Sequence, residues 1–441
     1  MNIIDEKEVC IIGMGFVGLT LAIIVAEKGF RVIGVEINDR TLSELKDGKS
    51  HFHETGLKER LKKVIANKSL TFTKDLKKTK KSRIYIVTVG TPLNMKGEPS
   101  LKMVKNASRE VSNVLNPEDL VILRSTVKLG TTRKIVMPIL EKAKCSFKLA
   151  FCPERTIEGN ALEELTLLPQ ICGGINDDSL TEAINFFSKI SSSSIKVSSL
   201  ESAEMIKLLD NSYRDLMFAF GNEVALMCES VCLNAKEIIH VGKLGYERTN
   251  IASPGLVGGP CLSKDPHILQ NSLKEYNYTP SLIKTGREIN EKIPEIVINK
   301  IHKYFKKLKS PKKIVICGLA FKGRPETDDL RGTPAEIVIK EIKKVFPNSE
   351  IFLQDFAASK EDLESKFNLP AIDIYKAFFK TDLLIIANNN RKYLALDLVN
   401  LIPKMNDRSL IYDFWSLLNP SDFSSKKVNY ASFGLNSFLQ R

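Results

Sequence analysis

The first half of the chain alternates short apolar runs with segments whose apolar residues recur at helical spacing. The runs predict strands at 9–13, 31–36, 82–89, 120–126 and 147–154. Strands separated by helical segments are typical of α/β proteins with a parallel, doubly wound sheet. We therefore predict an N-terminal Rossmann-type domain over residues 1–198.

The pattern changes after residue 200. Apolar residues at three- and four-residue spacing predict one long helix over residues 201–234, which could form a spine between domains or a dimer surface. More helices follow to about residue 308. A second α/β series has predicted strands at 312–321, 351–355, 382–388 and 409–414. We predict a central helical domain at 199–308 and a C-terminal Rossmann-like α/β domain at 309–441.

Composition narrows the class of protein. The chain has 441 residues, 43% hydrophobic and 27% charged, as expected of a soluble protein with several domains. We find no unbroken apolar run of about 18 residues, the length a membrane span needs. The acidic start, MNIIDEK, does not resemble a signal peptide. The eight cysteines form no CxxC pair, so we expect thiols, a cytoplasmic protein and no metal site.

The net charge of +13 raises the possibility of nucleic-acid binding. The lysines are scattered, however, and their densest runs lack the interleaved aromatic residues of a strand-binding groove. We expect no nucleic-acid partner and a modest attraction for an anionic substrate. A basic regulatory protein with a relict dinucleotide fold is the non-enzymatic alternative.

A glycine-rich turn, GMGFVG, follows the first predicted strand and opens a helix. Backbone amides of such a turn can approach a pyrophosphate, and here they belong to Gly13, Gly15, Phe16, Val17 and Gly18. Glu36 ends the next strand, where a carboxylate can bind the ribose hydroxyls of NAD and would repel the 2′-phosphate of NADP. We therefore predict NAD as the cofactor.

Two later strands end in polar turns, one containing Thr91 and Pro92 and the other Ser125 and Thr126. Ligands of open α/β sheets bind outside the carboxyl ends of the strands. We expect these turns to line the nicotinamide side of the cofactor site, although either could be ordinary loop chemistry.

Cys261 directly follows a glycine-rich stretch and precedes Lys264 and Asp265 at a predicted helix start. Nearby cations and a helix N-terminus lower a thiol pKa and favour the nucleophilic thiolate. The alternative is a structural cysteine in a loop.

Other candidate groups are less specific. Lys207 and Asn211 lie four residues apart and share one face of the long helix, where they could stabilise an oxyanion or orient a water. A solvated surface pair is the alternative. Glu154 and Glu158 follow a strand and are candidate acid–base groups.

These motifs together resemble those of one family. In chain order they are GMGFVG, VGTP, RSTV, CPER, Lys207-x-x-x-Asn211, GGPCLSKD and GLAFK. Over essentially its full length the chain resembles the UDP-glucose/GDP-mannose dehydrogenase family of four-electron nucleotide-sugar 6-dehydrogenases.

The resemblance implies a reaction with two hydride transfers. The sugar C6 alcohol is oxidised to an aldehyde, Cys261 captures it as a thiohemiacetal, and a second NAD oxidises this to a thioester that water hydrolyses. Lys207 and Asn211 would stabilise the oxyanion. Asp265, Thr126 and Glu154 would position or activate the water.

The resemblance also implies binding residues. Further cofactor contacts would come from Arg40, Glu158, Lys264 and Arg331. Substrate contacts would come from Glu154, Arg155, Glu158, Lys207, Asn211, Gly255, Gly258, Gly259, Phe321 and Lys322. Arg248 would reach the substrate of the neighbouring subunit, which implies a homodimer built on the long helix.

The identity of the sugar stays open. CPER resembles the branch that acts on UDP-N-acetylhexosamines, whereas GGPCLSKD resembles the UDP-glucose branch. We expect UDP-GlcNAc or UDP-ManNAc, in surface polysaccharide biosynthesis, with UDP-glucose as the alternative and GDP-mannose third. A one-step β-hydroxyacid-type dehydrogenase shares the α/β plan and a Lys-x-x-x-Asn pair, but it needs no cysteine and leaves the second α/β domain unexplained.

Overall fold

The computed structural model of the chain describes residues 8–94, 97–423 and 428–435. The acidic start, residues 1–7, lies outside the described residues. The chain divides into two units, Met1–Asp210 with His267–Thr279 and Asn211–Pro266 with Pro280–Arg441.

The first unit contains an eight-stranded sheet. Its strands are β1 (Glu8–Ile12), β2 (Arg31–Val35), β3 (Leu70–Thr73), β4 (Ile84–Val87), β5 (Asp119–Leu123), β6 (Phe147–Phe151), β7 (Gln170–Gly174) and β8 (Ser194–Lys196). They lie in the order β3-β2-β1-β4-β5-β6-β7-β8. The first six follow the 3-2-1-4-5-6 order of dinucleotide-binding folds. All neighbours are parallel except β6 and β7.

Helices cover both faces of this sheet. They are α1 (Phe16–Glu27), α2 (Asp39–Lys46), α3 (Leu57–Ala66), α4 (Lys102–Ser112), α5 (Met137–Leu140), α6 (Ala161–Leu167) and α7 (Asp177–Phe187). One apolar cluster surrounds Leu21 and Phe186 and the other surrounds Tyr85 and Val111. Strands buried on both faces are apolar without alternation, which is why they stood out in the sequence.

The helical segment begins with α8 (Leu200–Ser230) and continues with α9 (Ala235–Lys243), α10 (Gly259–Leu262), α11 (Asp265–Lys274) and α12 (Ser281–Lys306). The prediction that the long helix reaches residue 234 is wrong. Cys232 has a φ of 59°, which is incompatible with a helix. Asn234 caps α9 instead, because its side chain accepts hydrogen bonds from the N–H groups of Lys236 and Glu237.

The C-terminal sheet has five parallel strands, β9 (Lys313–Cys317), β10 (Glu350–Gln354), β11 (Leu383–Ile386), β12 (Leu410–Asp413) and β13 (Asn429–Ser432). Their order is β10-β9-β11-β12-β13, the second common doubly wound arrangement. Its helices are α13 (Ala335–Val345), α14 (Lys360–Phe367), α15 (Ile374–Phe378) and α16 (Leu398–Leu401). The predicted fold class, with two α/β sheets and a helical segment containing a long helix, is confirmed.

Candidate active site

The glycine turn joins β1 to α1. A Cβ at Gly18 would lie 1.8 Å from the Gly13 carbonyl oxygen and 2.7 Å from Thr88 Oγ1, so only glycine fits there. A Cβ at Gly15, by contrast, would have no other atom within 4 Å, so the space beside this residue is open. The first turn of α1 holds no acidic residue, and the Gly15 N-cap provides no side-chain hydrogen bond. Backbone N–H groups at this helix start therefore suit an anion.

The carboxylate of Glu36 lies at the same turn. Its Oε2 accepts the Met14 N–H at 3.1 Å, and its Oε1 accepts the Asn38 N–H at 2.8 Å. Arg40, in the first turn of α2, is exposed and donates from Nε to Glu44 Oε1 at 3.0 Å. Of the two candidate cofactor contacts Glu36 and Arg40, it is Glu36 that hydrogen-bonds to the glycine turn.

The two polar turns at the carboxyl edge of the sheet are hydrogen-bonded to each other. Thr91 Oγ1 donates to the Thr126 carbonyl at 2.6 Å, and Ser125 Oγ donates to the Val89 carbonyl at 2.6 Å. Thr126 is half-buried, and Pro92 is exposed. Hydrogen bonds thus join the two turns at the carboxyl ends of β4 and β5.

Glu154, three residues after β6, is paired with an arginine that the sequence did not single out. Arg124 Nη2 lies 2.6 Å from Glu154 Oε2, and both side chains are buried. Glu154 Oε1 accepts the N–H groups of Arg155 and Thr156 at 2.7 and 2.8 Å. Burial alone raises the pKa of Glu154, but the charge of Arg124 and these hydrogen bonds outweigh it, with a smaller effect of Lys207, so the pKa lies below its usual value. Glu154 is therefore a carboxylate at neutral pH.

Lys207 is buried in α8, and Glu204 lies one turn before it. The Glu204 carboxylate accepts hydrogen bonds from the Gly130 N–H and from both the N–H and hydroxyl of Thr132. Burial raises the pKa of Glu204 to about 7. The sequence motifs did not identify Glu204 as a candidate either. Its hydrogen bonds hold the loop that follows Thr126.

The segment after β6 contains the remaining candidates of the first unit. Arg155 donates from Nη2 to the Pro169 carbonyl at 2.9 Å and lies 3.6 Å from Asp210. Glu158 is half-buried. The buried carboxylate of Glu54 accepts the N–H groups of Gly159 and Ala161 at 2.6 and 2.8 Å, which fixes the end of this segment.

In the second unit, Cys261 lies in the short helix α10 and is exposed. Gly259, two residues earlier, has a φ of +95°, and a Cβ there would lie 2.4 Å from the Phe321 ring. Its N–H donates to the Gly332 carbonyl at 2.8 Å. Close backbone packing therefore requires this glycine and brings the cysteine segment against Phe321.

Asn211 and Asp265 meet in the same unit. Asn211 Nδ2 donates to Asp265 Oδ2 at 2.6 Å. Asp265 is fully buried, and its Oδ1 has no hydrogen-bond partner among the described residues, although Lys264 Nζ lies 3.7 Å away. An anionic oxygen with an unused acceptor site can bind a water or a substrate hydroxyl.

Further candidates surround the strand ends of the C-terminal sheet. Lys322 Nζ lies 5.3 Å from the centre of the Phe321 ring. Arg331 is largely exposed and pairs with Asp329 at 2.6 Å. Asp355, at the end of β10, accepts the N–H groups of Leu319 and Ala320, as Glu36 does for the first glycine turn. An acid after the second strand of an α/β unit is the sequence signal that identifies Asp355 as a candidate.

Three other candidates lie in the second unit. The Gly255 backbone packs on Trp415, since a Cβ at Gly255 would lie 2.5 Å from the indole. Gly258 packs on Pro334 in the same way, with 2.7 Å from a Cβ to Pro334 Cδ. Arg248, on the segment after α9, is exposed and lies over the Tyr246 ring at 4.8 Å.

No helix in residues 8–94, 97–423 or 428–435 combines the length and apolarity needed to cross a membrane. Within the same ranges no group of three or more His, Cys, Asp or Glu side chains could hold a metal ion.

Comparison with known proteins finds a match in each of the three parts of the chain. Three family models match it, all of the UDP-glucose/GDP-mannose dehydrogenase family: the NAD binding domain at residues 7–191, the central domain at 201–292 and the UDP binding domain at 315–420. UDP-N-acetyl-D-mannosamine dehydrogenase from Campylobacter jejuni is 32% identical over 404 residues, which are 88% of this chain and 97% of that protein.

Solved structures are similar over nearly the full length. The UDP-D-ManNAc dehydrogenase of Pyrococcus horikoshii superimposes with a TM-score of 0.87 at 26% identity, covering 97% of this chain and 99% of that one. The UDP-N-acetyl-mannosamine dehydrogenase Cap5O of Staphylococcus aureus gives 0.83 at 27% identity, covering 97% and 98%. The chain therefore belongs to the UDP-glucose/GDP-mannose dehydrogenase family of NAD-dependent nucleotide-sugar dehydrogenases.

Proposed function

We propose that the protein oxidises the C6 alcohol of UDP-N-acetyl-D-mannosamine to the carboxylate. Each turnover consumes two NAD⁺ and one water and yields the uronate, two NADH and three protons. The observation that carries the proposal is the exposed Cys261 in the same unit as the buried Asn211–Asp265 pair. Relatives that are named for this substrate and match most of the chain support it.

The first unit has the features that NAD requires. Open space at Gly15 and the uncapped start of α1 suit the pyrophosphate, and Glu36 suits the ribose hydroxyls. We assign cofactor contacts also to Thr91, Ser125 and Thr126, at the carboxyl edge of the sheet. When bound, NAD accepts the hydride from the substrate carbon.

We assign the covalent step to Cys261. Its thiolate adds to the aldehyde carbon and forms a thiohemiacetal, and loss of hydride from that carbon gives the thioester. Holding the aldehyde covalently lets the second oxidation proceed without its release. Lys207 and Asn211, an ammonium and a carboxamide, stabilise the oxyanion of these intermediates.

We assign hydrolysis of the thioester to a water held by Asp265. Its Oδ1 is a buried acceptor with no hydrogen-bond partner in the part of the chain that the structure describes, and Asn211 fixes the other oxygen. Glu154 is a weaker candidate for this role, because Arg124 and two backbone N–H groups stabilise its anion and lower its basicity. We infer that Glu154 instead keeps a negative charge near Lys207.

The initial rate of NADH formation with a panel of UDP-ManNAc, UDP-GlcNAc, UDP-glucose and GDP-mannose tests the substrate. We expect the highest kcat/KM with UDP-ManNAc. A higher kcat/KM with UDP-glucose would favour the alternative indicated by the GGPCLSKD motif. No NADH with any of the four would overturn the proposed reaction.

We propose that the protein is a homodimer formed through α8 and α9. Tyr213, Phe220 and Met227 recur every seven residues along α8 and are 62%, 51% and 51% exposed. Val241, in α9, and Leu244, directly after it, are also exposed, at 57% and 65%. A row of large exposed apolar residues at this spacing is typical of a helix that packs against a partner.

Arg248 follows this surface, and we propose that it reaches the substrate of the partner subunit. Subunit mixing tests the arrangement. Inactive Arg248→Ala and Cys261→Ala proteins should regain activity when they exchange subunits, because one site of the mixed dimer then has both residues intact. No recovery after demonstrated exchange would contradict it.

We also propose three functional domains, at 1–198, 199–308 and 309–441. Matches to three separate family models, at 7–191, 201–292 and 315–420, support a division into three. In this assignment Phe321, Lys322 and Arg331 belong to the UDP-binding domain. We propose the cytoplasm as the site of action, where NAD and nucleotide sugars are available and thiols stay reduced. The product would serve the synthesis of surface polysaccharides.

A further inference from the structure

One buried arginine contacts the backbone on both sides of Cys261. Arg287 lies in α12 and is 2% exposed. Its Nη1 donates to the Leu262 carbonyl at 2.9 Å, and its Nη2 donates to the Val257 carbonyl at 3.3 Å. The guanidinium thus bridges the start and the end of the segment 257–262.

The charge of this arginine is compensated by a carboxylate on the facing helix. Asp215, in α8, accepts Arg287 Nη1 at 2.6 Å and Asn290 Nδ2 at 2.9 Å, and it is 1% exposed. A buried charge is costly unless it is paired and hydrogen-bonded. The pairing therefore leaves the guanidinium few positions other than the one it occupies.

The same network reaches the preceding glycine. Asn222 Oδ1 accepts the Gly255 N–H at 2.8 Å, and Asn222 Nδ2 donates to Asn290 Oδ1 at 2.9 Å. Asn222 and Asn290 are also buried. Two helices thus provide side chains that hold the backbone at residues 255, 257 and 262.

We propose that Arg287 is a positioning residue for Cys261. It fixes the carbonyls of Val257 and Leu262 and so holds the thiol where it captures the aldehyde. This rests on the proposed function. An arginine is needed because its planar fork of donors can bind a carboxylate and two carbonyls together, whereas a lysine ammonium cannot match that geometry.

Stability alone does not explain such an arrangement, because well-packed apolar residues join two helices as well as a buried ion pair does. The variants Arg287→Lys and Arg287→Met test the proposal. Lys300→Met is the matched control, since Lys300 on α12 pairs with Glu229 on α8 and so bridges the same two helices.

The first measurement is NADH formed per UDP-ManNAc consumed, with hydroxylamine present to trap released aldehyde. We expect Arg287→Lys to lower kcat about 10- to 100-fold, the effect of a small misplacement of a reacting group. Trapped aldehyde should appear, and the number of NADH formed per UDP-ManNAc consumed should fall below two. A wild-type kcat and ratio in Arg287→Lys would overturn the proposal, as would an equal loss in Lys300→Met.

The second measurement does not depend on the reaction. Peptide mass spectrometry follows alkylation of Cys261 by iodoacetamide in the substrate-free protein, with the exposed Cys232 as internal reference. We expect the ratio of the Cys261 alkylation rate to the Cys232 alkylation rate to change about threefold or more in Arg287→Lys, because the backbone around Cys261 changes its mobility locally. The ratio should not change in Lys300→Met. An unchanged ratio in Arg287→Lys overturns the positioning role even if the protein is active.

The two measurements separate the two ideas. If the wild-type protein oxidises no nucleotide sugar but Arg287→Lys changes the alkylation ratio, the proposed function is wrong and the positioning role of Arg287 stands. If Arg287→Met does not fold, Arg287→Lys, which keeps the charge beside Asp215, decides the outcome.

Discussion

Asn211 donates its side-chain amide to Asp265 Oδ2 at 2.6 Å, while Asp265 Oδ1 is buried without a hydrogen-bond partner among the described residues. The pair orients one carboxylate and leaves one of its oxygens able to accept a proton. That arrangement suits a group that activates water, because a proton acceptor must be both fixed and unoccupied.

Asp265→Asn should therefore block hydrolysis more than oxidation. We expect kcat to fall about 100- to 10,000-fold, the usual contribution of a general base. Intact mass spectrometry should detect the acyl group on Cys261 after mixing with substrate and NAD. The midpoint of thermal unfolding should not fall, because the change removes a buried carboxylate oxygen that has no hydrogen-bond partner within residues 8–94, 97–423 and 428–435. Turnover near the wild-type rate would exclude Asp265 from this step.

Glu36→Ala should weaken NAD binding. Loss of one hydrogen bond between the carboxylate and the ribose, about 1.5–3 kcal/mol, raises KM for NAD about 10- to 100-fold. The same change should narrow the preference for NAD over NADP. Arg40→Ala is the control, since Arg40 is exposed and pairs with Glu44. An equal rise in KM for Arg40→Ala would show that this arginine also binds the cofactor.

Arg124→Met should destabilise the first unit. It leaves the Glu154 carboxylate buried without its cation, which costs about 3–5 kcal/mol. Glu154→Gln should cost less, because a neutral amide still accepts the Arg155 and Thr156 N–H groups. Urea unfolding of both variants and of the double variant measures the coupling. Additive effects in the double variant would contradict a direct interaction.

The raised pKa of Glu204 should make the stability of the protein depend on pH. Its pKa is raised from 4.5 to about 7 by burial, so the folded protein holds this proton more tightly than the unfolded chain does. The contribution is fully present below pH 4.5 and is lost as the pH rises to about 7, at most roughly 3 kcal/mol. The free energy of unfolding should fall less steeply across this window in Glu204→Gln. Parallel pH profiles for the two proteins would contradict the shift.

The fold was predictable because buried parallel strands are apolar throughout, and the sequence shows them clearly. Four strands were missed, β3, β7, β8 and β13, and all of them except β7 are strands of three or four residues at an edge of their sheet. Short edge strands bury fewer side chains and give a weaker pattern. Most predicted strands also ended late, because polar residues such as Arg124 continue from β5 without belonging to it.

The candidate residues were found through local motifs, whereas their partners were not. Arg287, Asp215 and Glu204 act through contacts between residues about 70 positions apart. A charged residue on an amphipathic helix gives no sign of whether it faces solvent or a buried carbonyl. The roles of Arg287 and Glu204 therefore depend on three-dimensional packing, which one sequence does not show.

The number of NADH molecules formed per UDP-ManNAc consumed at completion tests the proposed reaction most directly. The expected result is two NADH, with the C6 carboxylate as product identified by mass spectrometry. One NADH per nucleotide sugar, with the product left as an aldehyde or ketone, would contradict a four-electron oxidation through Cys261.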